Sequence, residues 1–540
     1  MFNFEMTHLG NLFFGLSLIV FISLFFVKNQ NRDIRLHILL LTALGFIFYA
    51  SDLITLFIGW EVMSWSSYFI ISKNANIKTL QKYIIFNLAA GFALLAAIAL
   101  IYGFSQSVIY SEIDISKIPH YLYMPISILL LITIFIKSGV VPFHYWVVDS
   151  YEEANHVFSA ILSAIISKAG IFLFILFFTK IIGYELLDEI LFDIVAWFGV
   201  ITSIVATFKA ISQDDLKRLL AYSSIAQLGY IVTSLAILSG SGVEAALYHT
   251  VIHTFVKLLL FINIASIIYI TGRRKFSELG GLLYHYPTLF ILLLIGIIAL
   301  AGMPPLGGFN SKFLIYTTLL EEKKGLLLAA VMFSSASAFL YCYKLIYGIY
   351  LGQPTQIKDK YRKIPLGFYI PQFVGATILI VLGILPSLGT LEFNPILSSL
   401  GLDTTSYSSL FELNSSFASF NGGALMAIFG VVFVVVLAMV MSMKNRVVNV
   451  RDRFDISYCG EVPDKDINLH YGYGIGEELK RISFIKVILK NSSSAIWQRV
   501  VNVTQDISMI VRRFYSLSSS HVGLVIILFF TILLFIGVAS

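Results

Sequence analysis

AALYHTVIHTFVKLLLFINIA, residues 245–265, is the stretch on which the reading of this chain turns. It is apolar or weakly polar except at His249, His253 and Lys257, and it matches the roughly 20 residues that a helix needs to cross a bilayer. The three exceptions are spaced four apart, so on a helix they share one face. They extend along about 12 Å of axis at 1.5 Å per residue. A charge at the bilayer centre costs roughly 2.5–3.5 kcal/mol on the lenient insertion scale. A helix with a purely structural task would carry Leu or Ala there. An ionisable row in an apolar helix therefore marks an ion or proton path. Metal binding by the two histidines is the rival reading. No HExxH glutamate accompanies them and a lysine continues the row, so a relay of neutral imidazoles, which both donate and accept, fits better.

The same pattern recurs on either side. Glu61 lies in LITLFIGWEVMSWSSYFII (53–71), Lys137 ends ISILLLITIFIK (126–137), and Lys168 lies in FSAILSAIISKAGIFLFILFF (158–178). Lys312 ends AGMPPLGGFNSK (301–312). Each has a structural alternative. Glu61 could be a helix-end carboxylate near Asp52, Lys137 and Lys312 could reach an interface on their long stems, and Lys168 could face a neighbouring helix. A buried lysine beside a carboxylate that can move away is a switchable proton donor, because the carboxylate favours its charged form and burial opposes it. His144 with Glu152 or Glu153 is expected at a cytoplasmic mouth. Lys217, next to Asp214 and Asp215, reads as a charge near a helix end, with a role in the path as the alternative, and Lys344 as a snorkelling lysine.

Composition agrees with a membrane chain. It is 58% hydrophobic and 13% charged, against about 45–50% and about 25% in soluble domains. About 14 apolar spans follow from the length criterion: 8–27, 36–50, 52–72, 82–104, 122–150, 157–179, 189–211, 218–238, 245–270, 287–320, 325–351, 366–388, 423–443 and 521–538. The expected fold is an all-α polytopic membrane protein. The first span has no basic segment before it and carries Glu5, so it reads as a membrane helix and not a cleaved signal. Basic clusters at 28–35, 73–82, 217–218, 273–275 and 358–363 fall on one side, which the positive-inside rule assigns to the cytoplasm, leaving the N-terminus outside. The net charge of +6 adds little beyond that orientation.

Two spans are interrupted, one at KSGVVPFHYW (137–146) and one at LAGMPPLGGFNSK (300–312). Proline removes a donor and clashes with the preceding turn. Inside a membrane such breaks survive only where protein or a wet cavity satisfies the backbone. Two broken spans, each beside a lysine, suggest inverted repeats at about 82–238 and 245–388 within a core of residues 1–443. Residues 444–520 form a cytoplasmic connector with twelve Lys or Arg against eight Asp or Glu. Its part 476–515 has apolar residues at helical spacing and predicts a basic amphipathic helix about 60 Å long. Residues 521–540 would anchor its far end. The chain has two cysteines, Cys342 and Cys459, too few for a four-cysteine iron–sulfur cluster, and it has no GxGxxG or GxxxxGK[ST] fingerprint. No cofactor, metal or nucleic acid is expected.

FIGWEVMSWSSYFI (57–70), KSGVVPFHYWVVDSYEEANHVFSAILSAIISKAG (137–170), DDLKRLLAYSSIAQLGYI (214–231), LYHTVIHTFVKLLLF (247–261) and AGMPPLGGFNSKF (301–313) occur in this order. Together they resemble the antiporter-like subunits of respiratory complex I, of energy-converting membrane hydrogenases and of Mrp-type Na+/H+ antiporters, over about residues 35–350. The resemblance implies a glutamate–lysine pair at Glu61 and Lys137, a bridging lysine at Lys168, a central row at His249, His253 and Lys257, and an exit residue at Lys312. The tail resembles the lateral helix of the distal subunit, with other membrane subunits and a peripheral redox arm as partners. Two departures stand out. The glutamate-bearing helix is the third here, where the family has two more before it, and SYCGEVP (457–463) is similar to an element of hydrogenase-associated members. Three functions compete: a proton-translocating subunit of a redox-driven complex, a subunit of a Na+/H+ antiporter without a redox partner, and a structural membrane anchor. A row of Lys and His suits protons better than Na+, which prefers oxygen ligands.

Overall fold

In the computed structural model of the chain the described residues are 2–27, 33–183, 188–351, 362–404, 409–415, 417–442, 478–489 and 492–515. They fold almost entirely into helices. The first four are α1 His8–Phe25, α2 Ile34–Tyr49, α3 Leu53–Ile71 and α4 Ile77–Ser105. There follow α5 Tyr123–Ser138, α6 Tyr145–Glu153, α7 His156–Ile181, α8 Glu189–Ile211 and α9 Leu216–Leu235. Next come α10 Gly240–Thr271, α11 Pro287–Ala301, α12 Gly307–Glu321, α13 Gly325–Leu351 and α14 Leu366–Ile384. A short α15, Ser387–Ser399, leads to an antiparallel strand pair, β1 Glu412–Asn414 and β2 Ser419–Asn421, and then to α16 Gly422–Ser442. The helices start where the sequence supplies an acceptor for orphaned N–H groups. Asp33, Asp52, Asn76, Asn155, Asp215 and Ser239 each cap the first turn of the helix that follows.

Among the described residues nine helices are long and apolar enough to cross a membrane, and Ile34–Tyr49, Pro287–Ala301 and Gly422–Val432 are shorter apolar helices. The expected spans 122–150 and 287–320 are each two helices meeting at a break. The expected span 218–238 is α9, which is rich in Ser and Tyr and buried almost throughout. The expected anchor 521–538 and the SYCGEVP segment lie outside the described residues.

Both breaks use one device. α5 stops at Gly139, with φ +68°, and α11 stops at Gly302, with φ +76°, a left-handed conformation that glycine adopts without steric cost. The cis bonds Val141–Pro142 and Pro304–Pro305 follow at the same spacing. Neighbour relations repeat as well. α2 packs on α3, α3 on α4, α4 on both α5 and α6, and α5 on α7; likewise α8 packs on α9, α9 on α10, α10 on both α11 and α12, and α11 on α13. Small residues allow the closest approaches, as is usual where membrane helices cross. A Cβ at Gly199 would lie 2.7 Å from the Gly229 carbonyl oxygen.

α10 is the axis of this unit. It runs about 48 Å at 1.5 Å per residue, is buried along nearly its whole length, and touches α7, α9, α11, α12, α14 and α15. Two π-helical turns interrupt α7, at Leu162–Ile166 and Leu176–Ile181. The first directly precedes Lys168, a placement typical of functional sites.

The chain divides into two compact units, Met1–Ile485 and Lys486–Ser540. Between 478 and 515 a 3-10 turn, Glu478–Arg481, and two α-helices are described, α17 Ser483–Leu489 and α18 Ser492–Tyr515. α18 carries Ile496, Val500, Val503 and Ile507 at helical spacing, all exposed, in line with the amphipathic pattern of the sequence.

Candidate functional site

Lys137 occupies the last turn of α5, 1% exposed, just before the first break. Its ammonium donates to Asn87 Oδ1 on α4 at 2.8 Å and to Ser64 Oγ on α3 at 3.3 Å, and it lies 4.9 Å from the centroid of the Trp60 ring. Asn87 is held in turn by its own bond to the Tyr83 carbonyl, 2.8 Å. Glu61 sits one turn before Ser64 on α3 and is half-buried. Its carboxylate lies against Gly91 of α4, where any Cβ would overlap it. Glu61 and Lys137 are therefore neighbours within electrostatic reach, but the lysine is bonded to Asn87 and Ser64 and not to the carboxylate. An amide and a hydroxyl hold the ammonium at lower desolvation cost than none would, while the charge of Glu61 stays available to shift.

From Lys168 onward the buried groups connect. The Lys168 ammonium donates to the Ser163 carbonyl oxygen, which belongs to the π-helical turn, and faces His253 Nδ1 at 2.8 Å. His253 and His249 stack nearly parallel, with centroids 6.5 Å apart and planes 6° apart. His253 Nε2 has no hydrogen-bond partner among the described residues. His249 bonds on both nitrogens: Nδ1 to Ser311 Oγ at 2.9 Å and Nε2 to Gln227 Oε1 at 3.0 Å. Ser311 precedes Lys312, whose ammonium donates to the Ala301 carbonyl (2.8 Å) and to Ser335 Oγ (2.7 Å). Gly302 underlies the Lys312 stem and leaves no room for a Cβ.

Lys257 continues the row in sequence and branches from it in space. It donates to Ser223 Oγ at 2.6 Å and to the Leu220 carbonyl at 3.2 Å, both on α9. The same carbonyl accepts from Ser224 Oγ (2.7 Å), and that hydroxyl meets Ser163 Oγ at 2.8 Å. Lys168 and Lys257 are thus linked through Ser163, Ser224 and Leu220. Neutral histidines and hydroxyls each donate and accept and so can pass a proton. The Ser163 and Leu220 carbonyls only accept, so the Ser163–Ser224–Leu220 link tethers the two ammonium groups, and the two histidines stack without a direct hydrogen bond.

The remaining candidates separate by what they hold. Lys217 donates to the carbonyls of Glu152 (2.8 Å) and Ala154 (2.5 Å), at the end of α6. Lys344 donates to those of Ile211 (3.0 Å) and Gln213 (2.8 Å), at the end of α8. Both satisfy helix C-terminal carbonyls, a structural task for a cation. Glu152 and Glu153 line a cavity of about 660 Å³ together with His156, Lys217 and Arg274. Charged pairs surround it: Glu152 with Arg218 (2.5 Å) and Arg274 (2.6 Å), Asp149 with Lys82 (2.6 Å) and Arg218 (3.2 Å). His144 does not line that cavity; it is buried beside Tyr222, ring centroids 6.5 Å apart.

Several members of the site carry no mark in the sequence. Trp60, Ser64, Asn87, Gln227 and Ser311 are uncharged, and their selection depends on which helices cross. Glu244 and Lys209, both buried in helices, carry the charge signal but lie near helix ends, where a charge attracts less notice.

The family model described as NADH:quinone oxidoreductase/Mrp antiporter, TM matches residues 50–338, more than half of the chain and all of the site. The chain belongs to that family. It is an antiporter-like, multi-pass membrane subunit of the Mrp and complex I superfamily. A Na(+)/H(+) antiporter subunit of Alkalihalophilus pseudofirmus is 30% identical over 410 residues, 69% of this chain and 50% of the relative, so the chain spans half the length of that protein. A chain of the membrane-bound sulfane sulfur reductase, an archaeal respiratory membrane complex, is similar over 99% of this chain and 89% of its own length, at 28% identity and a TM-score of 0.86. A chain of the Mrp complex from Dietzia sp. DQ12-45-1b shares the fold at 20% identity, over 74% of this chain and 85% of its own, with a TM-score of 0.65.

Proposed function

We propose that this subunit translocates protons within a redox-driven multisubunit membrane complex, through the buried groups Glu61, Lys137, Lys168, His249, His253, Lys257 and Lys312. The observation that carries the reading is the Lys168–His253 contact. It joins two helices that lie far apart in sequence and brings a lysine and an imidazole, 1% and 2% exposed, to 2.8 Å. Burying such ionisable groups is costly, and a pair kept at that cost marks a functional site. The redox setting is supported by similarity along 99% of the chain to a chain of a respiratory sulfane sulfur reductase. Electrons would come from a peripheral arm, and further antiporter-like subunits and the bilayer would be its other neighbours. The second reading, a subunit of a Na+/H+ antiporter without redox partner, draws on the 30% identical antiporter protein. A merely anchoring protein has no use for the buried row.

In this reading the face with Arg218, Arg274 and the 660 Å³ cavity is cytoplasmic, and the N-terminus is outside. The inverted repeats would lie at about 82–238 and 245–388, and the parallel order of helix neighbours around the two breaks supports an internal duplication. The core 1–443 would be served by the connector 444–520, with its lateral helix on the cytoplasmic side, and by the anchor 521–540. The decisive test is Lys257→Ala in the assembled complex. Proton translocation into sealed vesicles should fall at least tenfold while the partner subunits still co-purify. Unchanged protons per turnover would sink the reading. Stimulation of the wild type by Na+, with no proton movement coupled to electron transfer, would favour the second.

A further inference from the structure

The face opposite the 660 Å³ cavity has its own recess. A cavity of about 460 Å³ lies there, lined by Glu189, Asp193, Gly240, Glu322, Lys324 and Asp403 among others. Lys324 pairs with Asp193 at 2.8 Å and with Glu189 at 3.6 Å. The Asp193 hydrogen bond, against some burial, holds the Lys324 ammonium above the usual lysine range. That single ammonium offsets one of the four carboxylate charges, so the recess keeps an excess of negative charge that favours cations.

Gly240 on its wall is the first residue of α10. One turn further in, about 6 Å along the helix, lies Glu244, 1% exposed. It is on the helix that carries the histidine row, and it shares a face with Tyr248, four residues on. The two are within electrostatic range of each other. The Tyr248 hydroxyl sits 3.1 Å from the carbonyls of Leu382 and Pro386 and receives Asn310 Nδ2 at 3.4 Å. Asn310 is followed by Ser311, the partner of His249, and by Lys312. A buried carboxylate therefore stands between an acidic recess and the end of the row, with tyrosine and asparagine filling the gap.

We infer that Glu244 is the proton-carrying group through which the central row exchanges with the recess at Gly240 and Lys324. The inference rests on the translocation reading above. Glu244 takes a proton from the His249 and Ser311 end as the carboxylate, and returns to the carboxylate when it releases that proton to the recess. A bilayer-buried carboxylate with only a packing task would be matched by glutamine, which has nearly the same shape and no proton to give.

The test uses the assembled complex in sealed vesicles. Glu244→Gln should lower proton translocation at least tenfold with partner subunits retained, and Glu244→Asp should recover a substantial part of it. Dicyclohexylcarbodiimide, which reacts with protonated carboxyls in apolar surroundings, should modify Glu244 in the unaltered protein, read as a mass shift on its peptide. Because that labelling needs no variant, it decides the matter even if Glu244→Gln fails to assemble. Absence of labelling, or an assembled Glu244→Gln complex with unchanged translocation, overturns the proposal. Protection of Glu244 from the reagent by Na+ also overturns it, because the group would then hold Na+. If Lys257→Ala is silent the translocation reading falls first; if Lys257→Ala is inactive and Glu244→Gln is normal, only this inference falls.

Discussion

The two broken helices are built alike and hold their lysines differently. Each break has a left-handed glycine followed at the same spacing by a cis proline. Lys137 precedes the first break, and Lys312 follows the second. Lys137 is held by side chains from two other helices, Asn87 and Ser64, over the Trp60 ring, with Glu61 one turn away. Lys312 is held by a backbone carbonyl of its own break, Ala301, and by Ser335. The break is thus a shared scaffold with a lysine on opposite sides of it, and of the two only Lys312 bonds to one of its backbone carbonyls. The first is tied to neighbouring helices and can respond when they shift. The second is tied to the break itself.

The largest expected effect follows from that contrast. Lys137→Ala should abolish most translocation, at least tenfold, and so should Lys312→Ala. Coupling should differ. Glu61→Gln combined with Lys137→Ala should cost less than the two single losses added together, with an interaction of about 0.5–3 kcal/mol, as for groups in one network. Glu61→Gln combined with Lys312→Ala should be additive. Rates measured in vesicles holding assembled complexes would give both cycles. Strict additivity for the first pair would mean that Glu61 and Lys137 act independently, and the comparison would lose its electrostatic half.

Much of this is legible in the chain, for a physical reason. Lysine, histidine and glutamate in apolar helices are costly, so Glu61, Lys137, Lys168, His249, His253, Lys257 and Lys312 announce themselves. Gly139 and Gly302 beside Pro142 and Pro305 mark the breaks for the same kind of reason, backbone cost. Less visible is which polar group each lysine meets. Asn87, Ser64, Gln227 and Ser311 are ordinary residues for a membrane helix, and only the crossing of α3 with α4 or of α9 with α10 and α12 selects them. Cost alone also fails to distinguish a path from a cap. Lys217 and Lys344 are as buried as Lys312, yet they satisfy the carbonyl ends of α6 and α8. The π-helical turn before Lys168 leaves no compositional trace in LSAII (162–166).

A middle-sized effect is expected at the glycines. Gly91→Ala keeps ordinary helical backbone and pushes the Glu61 carboxylate off α4. It should change the translocation rate several-fold with little change in thermal stability. Gly302→Ala meets two penalties. The residue has φ +76°, which costs roughly 1–2 kcal/mol with a side chain present, and its Cβ collides with the Lys312 stem. It should lower both the rate and the melting temperature of the purified complex. A Gly302→Ala protein that is normal in both would show that the second break does not position its lysine.

The finest distinction concerns the hydroxyls. Ser335 Oγ is 2.7 Å from the Lys312 ammonium, whose other hydrogen-bond partner among the described residues is a carbonyl fixed in the backbone, with the Tyr230 ring centroid 5.6 Å away. Ser64 Oγ is 3.3 Å from the Lys137 ammonium, and the stronger contact there, Asn87 at 2.8 Å, survives its loss. A hydrogen bond to a charged group is worth about 1.5–3 kcal/mol at good geometry and weakens as it lengthens. Ser335→Ala should therefore slow translocation by about tenfold, the lower end of that range converted at about 1.4 kcal/mol per decade. Ser64→Ala should change it by less than about twofold, since Asn87 alone still holds the ammonium. The rates can be compared directly, because both changes remove one hydroxyl from a buried site. Equal losses would mean that the two cages are energetically the same, whatever their geometry. A larger loss at Ser64 would place the hydroxyl, and not the asparagine, in control of Lys137, and the lysine's dependence on α4 would have to be given up.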